Sequence, residues 1–167
     1  MRRRQKGNMV LESALWIPVV TMLIVFVIQL GKITYIYYAI RNSLYTTALY
    51  LSVQQGVNFC DIPDDANVQA AIQFGVTGTS DGSGTPLISN LTASMLAVNI
   101  ACVDPATGVV ESCDTSLCGG ETGSVRPDYL VVNIPGGYSI TPRMLFLTLD
   151  PIPLSPSVTV PFTGTTL

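Results

Sequence analysis

No histidine occurs anywhere in this 167-residue chain, tryptophan occurs once, and charged residues make up only 11% of it. An ordinary soluble domain carries ~25%. The missing imidazole removes the commonest general base and metal ligand, and no G-x-S-x-G nucleophile turn stands in for it, so an enzyme is not expected. Eight Lys and Arg against eleven Asp and Glu leave a net charge of −3, which offers no basic surface for nucleic acid. A chain so poor in charge and 48% apolar suits a membrane-associated or exported protein, and its length amounts to about one domain.

The few cations are crowded at one end. Arg2, Arg3, Arg4 and Lys6 lie in the first seven residues, whereas from Ser43 onward only Arg126 and Arg143 face ten acids. The sequence therefore reads as a basic tip, an apolar rod and an acidic head.

The rod begins with 17 uncharged residues from Ala14 to Leu30. At ~1.5 Å per residue they cover ~26 Å, and the apolar run that resumes after Lys32 reaches the ~30 Å of bilayer hydrocarbon. One membrane-spanning helix over about residues 14–40 is expected, with the lipid bilayer as its partner. The Arg/Lys cluster keeps the N-terminus in the cytoplasm, while Tyr35, Tyr37 and Tyr38 form an aromatic belt at the far interface, where Lys32 snorkels. A cleaved secretory signal would have an apolar region of only ~7 to 15 residues and a small-x-small site; neither matches this stretch.

Helical spacing persists through Ile33, Ile36, Ile40, Leu44, Ala48 and Leu51, and Gly56 follows as a stop. A helix from Asn8 to Gln55 has 48 residues and a length of ~72 Å. Its second half must pack on the head or on neighbouring copies. Pro18, lacking an N–H and crowding the Ala14 carbonyl, is expected to kink it.

In the head, Pro63-Asp64-Asp65 before Val68, Ala71 and Ile72 predicts a short capped helix ending at Gly75. Residues 75–86 read as a flexible loop without the Lys of a phosphate-binding loop. Leu96 to Val103, the turn Asp104-Pro105-Ala106-Thr107-Gly108 and Val109 to Ser112 predict a hairpin. Tyr129 to Ile134, Met144 to Leu149 and Val158 to Phe162 predict further strands, with Pro161 suited to an edge or an end. The expected fold is α+β: a long N-terminal helix followed by a small antiparallel β head stapled by disulfides.

Cys60, Cys102, Cys113 and Cys118 all fall outside the membrane, where thiols oxidise. Of three pairings, Cys113–Cys118 with Cys60–Cys102 is preferred, although the sequence does not choose. A tetrathiolate zinc site is disfavoured because spacings of 42, 11 and 5 residues contain no C-x-x-C knuckle. No metal and no cofactor is expected. Asn90-Leu91-Thr92 matches a glycosylation triplet, and Asp61, Asp64, Asp65 and Asp81 suggest calcium only weakly; solvated surface explains both better.

The opening run Arg2-Arg3-Arg4-Gln5-Lys6-Gly7-Asn8-Met9-Val10-Leu11-Glu12 leads straight into the apolar helix. It resembles the class III leader of type IV pilins and pseudopilins. With Ser13-Ala14-Leu15-Trp16-Ile17-Pro18 added, the stretch resembles TadE-like pseudopilins of tight-adherence (Flp) pili, a likeness best over residues 1 to about 56 and only architectural beyond. The resemblance implies a leader, residues 1–7, removed by a prepilin peptidase between Gly7 and Asn8. It further implies a helix over 8–56, an exported head over 57–167, a bacterial inner membrane, and pilin subunits or an assembly platform as partners. Asn8 departs from the apolar first residue of major pilins, and the head is larger than in Flp-type major pilins, so a minor subunit is implied.

Glu12 has a physical argument of its own. A carboxylate in an apolar helix needs a partner, and cleavage would create an α-amino group at Asn8 able to pair with it in a neighbouring subunit. Alternatively Glu12 sits among headgroups, favoured by the helix dipole. The competing function is an unprocessed, single-pass anchored binding or adhesion domain.

Overall fold

The head is assembled on one stripe of the long helix. Ile40, Ser43, Leu44, Thr47, Ala48, Leu51 and Ser52 are buried and recur at three- and four-residue spacing, which is one face of an α-helix. The computed structural model describes residues 4–119, 125–142 and 150–166.

Helix α1 spans Arg4–Ser52, 49 residues, and runs through Pro18 without interruption. It begins before the expected Asn8, so the Gly7–Asn8 bond lies in helical backbone. It also stops three residues short of Gln55, because its last carbonyl is claimed by the far end of the chain. Ser52 C=O accepts from Thr163 N–H at 3.0 Å, Gly164 N–H at 2.9 Å and Thr163 Oγ1 at 3.1 Å. Gly56 therefore belongs to strand β1 (Gln55–Val57), which pairs in parallel with β8 (Thr165–Thr166). This small parallel pair stands apart from the antiparallel sheet that was expected of the head.

Helix α2 spans Ala66–Thr77 with Asp65 as N-cap. One Asp65 oxygen accepts from the Asn67 and Val68 N–H groups at 2.9 and 3.0 Å, and the other from Asn58 N–H at 2.9 Å. The carboxylate thus satisfies two orphan donors of the helix and pins the preceding loop. The expected end at Gly75 is wrong: the helix continues to Thr77, and Gly78, at φ 79°, makes the left-handed stop. Gly75 is instead a contact point, since a Cβ there would overlap Thr47 Oγ1 of α1.

The main sheet has the order β3-β2-β4-β7, from β2 (Ala97–Val103), β3 (Val110–Ser112), β4 (Tyr129–Asn133) and β7 (Ser157–Pro161). All three pairings are antiparallel. The expected β2–β3 hairpin is present, and its turn is held by Asp104, whose carboxylate accepts from Ala106 N–H at 2.8 Å and Thr107 Oγ1 at 2.7 Å. Period-2 alternation sends Val98, Ile100, Leu130, Val132, Val158 and Val160 to one buried face, where the sheet meets α1. Pro161 closes the edge strand β7, where a missing N–H is tolerated. A second antiparallel pair joins β5 (Tyr138–Ile140) to β6 (Ile152–Leu154), and Tyr138 OH donates to Ser89 C=O at 2.5 Å. The strand expected at Met144–Leu149 lies outside the described residues.

The disulfides are Cys60–Cys118 and Cys102–Cys113, which overturns the preferred pairing. Cys102 stands opposite Glu111 in the hairpin register, so Cys113, two residues on, projects from the same face as its diagonal neighbour. Cys118 is carried away from Cys113 by a 3-10 turn over Thr115–Gly119, at ~2.0 Å per residue, and reaches the α1–α2 loop at Cys60.

Candidate functional site

Two regions of α1 differ sharply. From Ile40 onward one face is core, whereas between Glu12 and Ala39 no residue is buried. Leu15, Trp16, Ile17, Met22, Leu23, Phe26 and Val27 are each roughly half to two-thirds exposed. Glu12–Ser52 is the one helix among the described residues long and apolar enough to cross a membrane, with mean hydropathy 2.3 and none of that window buried. The exposed part measures ~42 Å at ~1.5 Å per residue, longer than the ~30 Å of hydrocarbon. An apolar surface of this extent in water would be an aggregation liability.

Glu12 stands on this helix at the mouth of the apolar stretch. It is exposed and lines an open groove of about 560 Å³ with Ser13, Trp16, Ile17, Val20 and Thr21, residues that recur four apart on one side of the helix. Pro18 lies on the next face, and Thr21 Oγ1 donates to the Ile17 carbonyl at 2.8 Å, a back-bond of the kind that bends helices.

The chain's own geometry brings together the cysteines and leaves Glu12 apart from the head. With all four sulfurs in disulfides, no thiolate remains for a zinc site. The described residues contain no group of three His, Cys, Asp or Glu side chains able to hold a metal. Two of the four calcium candidates are used locally: Asp65 caps α2, and Asp81 accepts from Ser83 N–H at 3.1 Å and Ser83 Oγ at 2.9 Å.

Three carboxylates, those of Asp81, Asp104 and Asp114, are held below the usual Asp range by such local bonds. For Asp81 the leading cause is the Ser83 N–H, for Asp104 the Thr107 hydroxyl, and for Asp114 the Ser116 N–H. They belong to turns of the head, far in sequence from the apolar half of α1.

Sequence reasoning missed the groove where α1 meets β7, lined by Tyr38, Arg41, Asn42, Tyr45, Ser157, Val158 and Thr159. Its two walls lie more than a hundred residues apart in the chain; an isolated Arg just past a Tyr cluster was the available signal. Compared with protein families, curated proteins and solved structures, the chain matches none.

Proposed function

We propose that this chain is a pilin-like structural subunit, a TadE-like minor pilin or pseudopilin, that assembles through the exposed half of α1. The observation that carries the reading is the division of one continuous helix into a buried stripe holding the head and an unburied apolar length ending at Glu12. Such a helix first needs lipid around it, and a bundle of like helices satisfies the same surface once subunits leave the bilayer. The leader-like run before Asn8 supports processing between Gly7 and Asn8 by a prepilin peptidase, in a bacterial inner membrane with the head outside.

A second reading, a permanently anchored adhesion domain, draws support from the helical backbone running through Gly7 and Asn8, since a peptidase must unwind the bond it cuts. Intact mass of the protein recovered from its native membrane separates the two. A chain starting at Asn8 supports the subunit, and a chain retaining Arg2 to Gly7 overturns processing in favour of the anchor. Gly7→Val should leave the precursor uncut.

A further inference from the structure

The groove of about 410 Å³ between α1 and β7 has a chemistry unlike the rest of the head. Arg41 is exposed and has neither an ion pair nor a side-chain hydrogen bond among the described residues. The groove is lined on the helix side by Tyr38, Arg41, Asn42 and Tyr45 and on the sheet side by residues 157–159 of β7, and no acid lines it. Past Lys32 the chain has just three cations, Arg41, Arg126 and Arg143, among ten acids. One of them thus lines a groove together with Tyr38, Asn42 and Tyr45, side chains able to donate hydrogen bonds. A guanidinium fork beside neutral donors fits a tetrahedral oxyanion.

Its depth identifies the source. If hydrocarbon begins at Leu15, ~30 Å of helix ends near Tyr35. The headgroup layer adds ~5 to 7 Å, which reaches Ala39 or Ile40. Arg41 lies one residue further, with a side chain able to snorkel back along the helix. Tyr35 and Tyr38, 75% and 63% exposed, mark the interface directly below it.

We propose that this groove binds the phosphate of a phospholipid headgroup, with Arg41 supplying the charge and Tyr38, Asn42 and Tyr45 the neutral hydrogen bonds. The bound lipid fixes the tilt of the head against the membrane, because one wall of the groove belongs to the helix and the other to the sheet. This inference rests on α1 crossing the bilayer.

The test uses the full chain in phosphatidylglycerol nanodiscs, with lipid retention read by native mass spectrometry after transfer to a phosphate-free maltoside detergent. The wild type should retain one lipid. Arg41→Gln should bind roughly tenfold more weakly, a difference of about 1.4 kcal/mol, and Tyr45→Phe should bind several-fold more weakly, each with an unchanged melting temperature of the head in maltoside. Arg126→Gln removes the same charge away from the groove and should retain lipid as the wild type does. Equal retention by Arg41→Gln overturns the proposal, and so does displacement of the lipid by inorganic phosphate at matched concentration, which would make the groove a free-anion site. Flotation with liposomes separates the two levels: a chain that floats but retains no lipid overturns the groove alone, whereas a chain that does not float overturns the spanning helix as well.

Discussion

The Ser43 hydroxyl of α1 donates a 2.5 Å hydrogen bond to the Gly75 carbonyl of α2, at a point where the two helices are too close for any side chain on residue 75. Thr47 Oγ1 turns back to the Ser43 carbonyl at 3.0 Å, so both buried hydroxyls in the contact are satisfied. Small residues on each helix permit the approach, and the hydroxyls make it specific.

Gly75→Ala should destabilise the head by ~1 to 3 kcal/mol through overpacking. Ser43→Ala should cost ~1 kcal/mol from the lost bond. Thermal melting of the full chain in detergent, followed by circular dichroism, checks both; an unchanged melting temperature for Gly75→Ala would refute the close contact.

Asp65→Ala removes the cap of α2 and the tie to Asn58 together, with an expected loss of ~1 to 2 kcal/mol. Asp64→Ala, one residue earlier, should change stability by less than ~0.5 kcal/mol. Parallel melts of the two variants distinguish them.

The two disulfides close loops of different size, with sequence separations of 58 and 11 residues. On loop entropy, removing Cys60–Cys118 should cost ~4 kcal/mol and Cys102–Cys113 ~3 kcal/mol. Double Ser variants of each pair measure the difference, and peptide mapping without reduction verifies the connectivity. A Cys113–Cys118 peptide would contradict the fold.

Asp81, Asp104 and Asp114 share one sign of pH dependence. Each folded-state pKa lies below the ordinary value of 3.8, so the stabilisation is present above that value and is lost as pH falls through the lower, folded pKa. The melting temperature should hold steady down to about pH 5 and fall in stronger acid. Asp81→Asn, Asp104→Asn and Asp114→Asn combined should flatten that acid limb. An acid limb of unchanged steepness in the triple variant counts against these turns.

If Glu12 pairs with the Asn8 amine of a neighbouring subunit, Glu12→Gln should insert, be processed and fold its head normally, yet fail to assemble. Leaving a buried ammonium without its anion costs ~3 to 5 kcal/mol, whereas losing a headgroup-level dipole contact costs only ~0.3 to 1 kcal/mol. Co-purification of the processed variant with pili or their assembly complex decides, and normal incorporation excludes the pairing.

Features that were legible in the sequence are those set by neighbours along the chain. The stripe Ile40, Leu44, Ala48, Leu51, the turn at Asp104 to Gly108, the cap before Val68 and the edge position of Pro161 all follow from local periodicity and turn chemistry. What was misread depends on distant chain. Gly75 looked like a stop because its real role needs Thr47 beside it. Gly56 looked like the end of α1 because nothing near it reveals that Thr163 and Gly164 reach Ser52. The cysteine pairing required the hairpin register and the 3-10 turn together. Of the candidate site, the apolar length and Glu12 were visible in one dimension, while the Arg41 groove required the sheet to be folded against the helix.

The bonds converging on Ser52 also have a mechanical meaning. They place the start and the end of the head at a single point, the root of α1, so tension travelling up the helix meets both ends of the head at once. Detaching the helix then requires the Thr163 and Gly164 bonds and the β1–β8 pairing to give way together instead of peeling in sequence. Under tension applied through α1, residues 163–166 would act as a latch, and their loss should lower the rupture force.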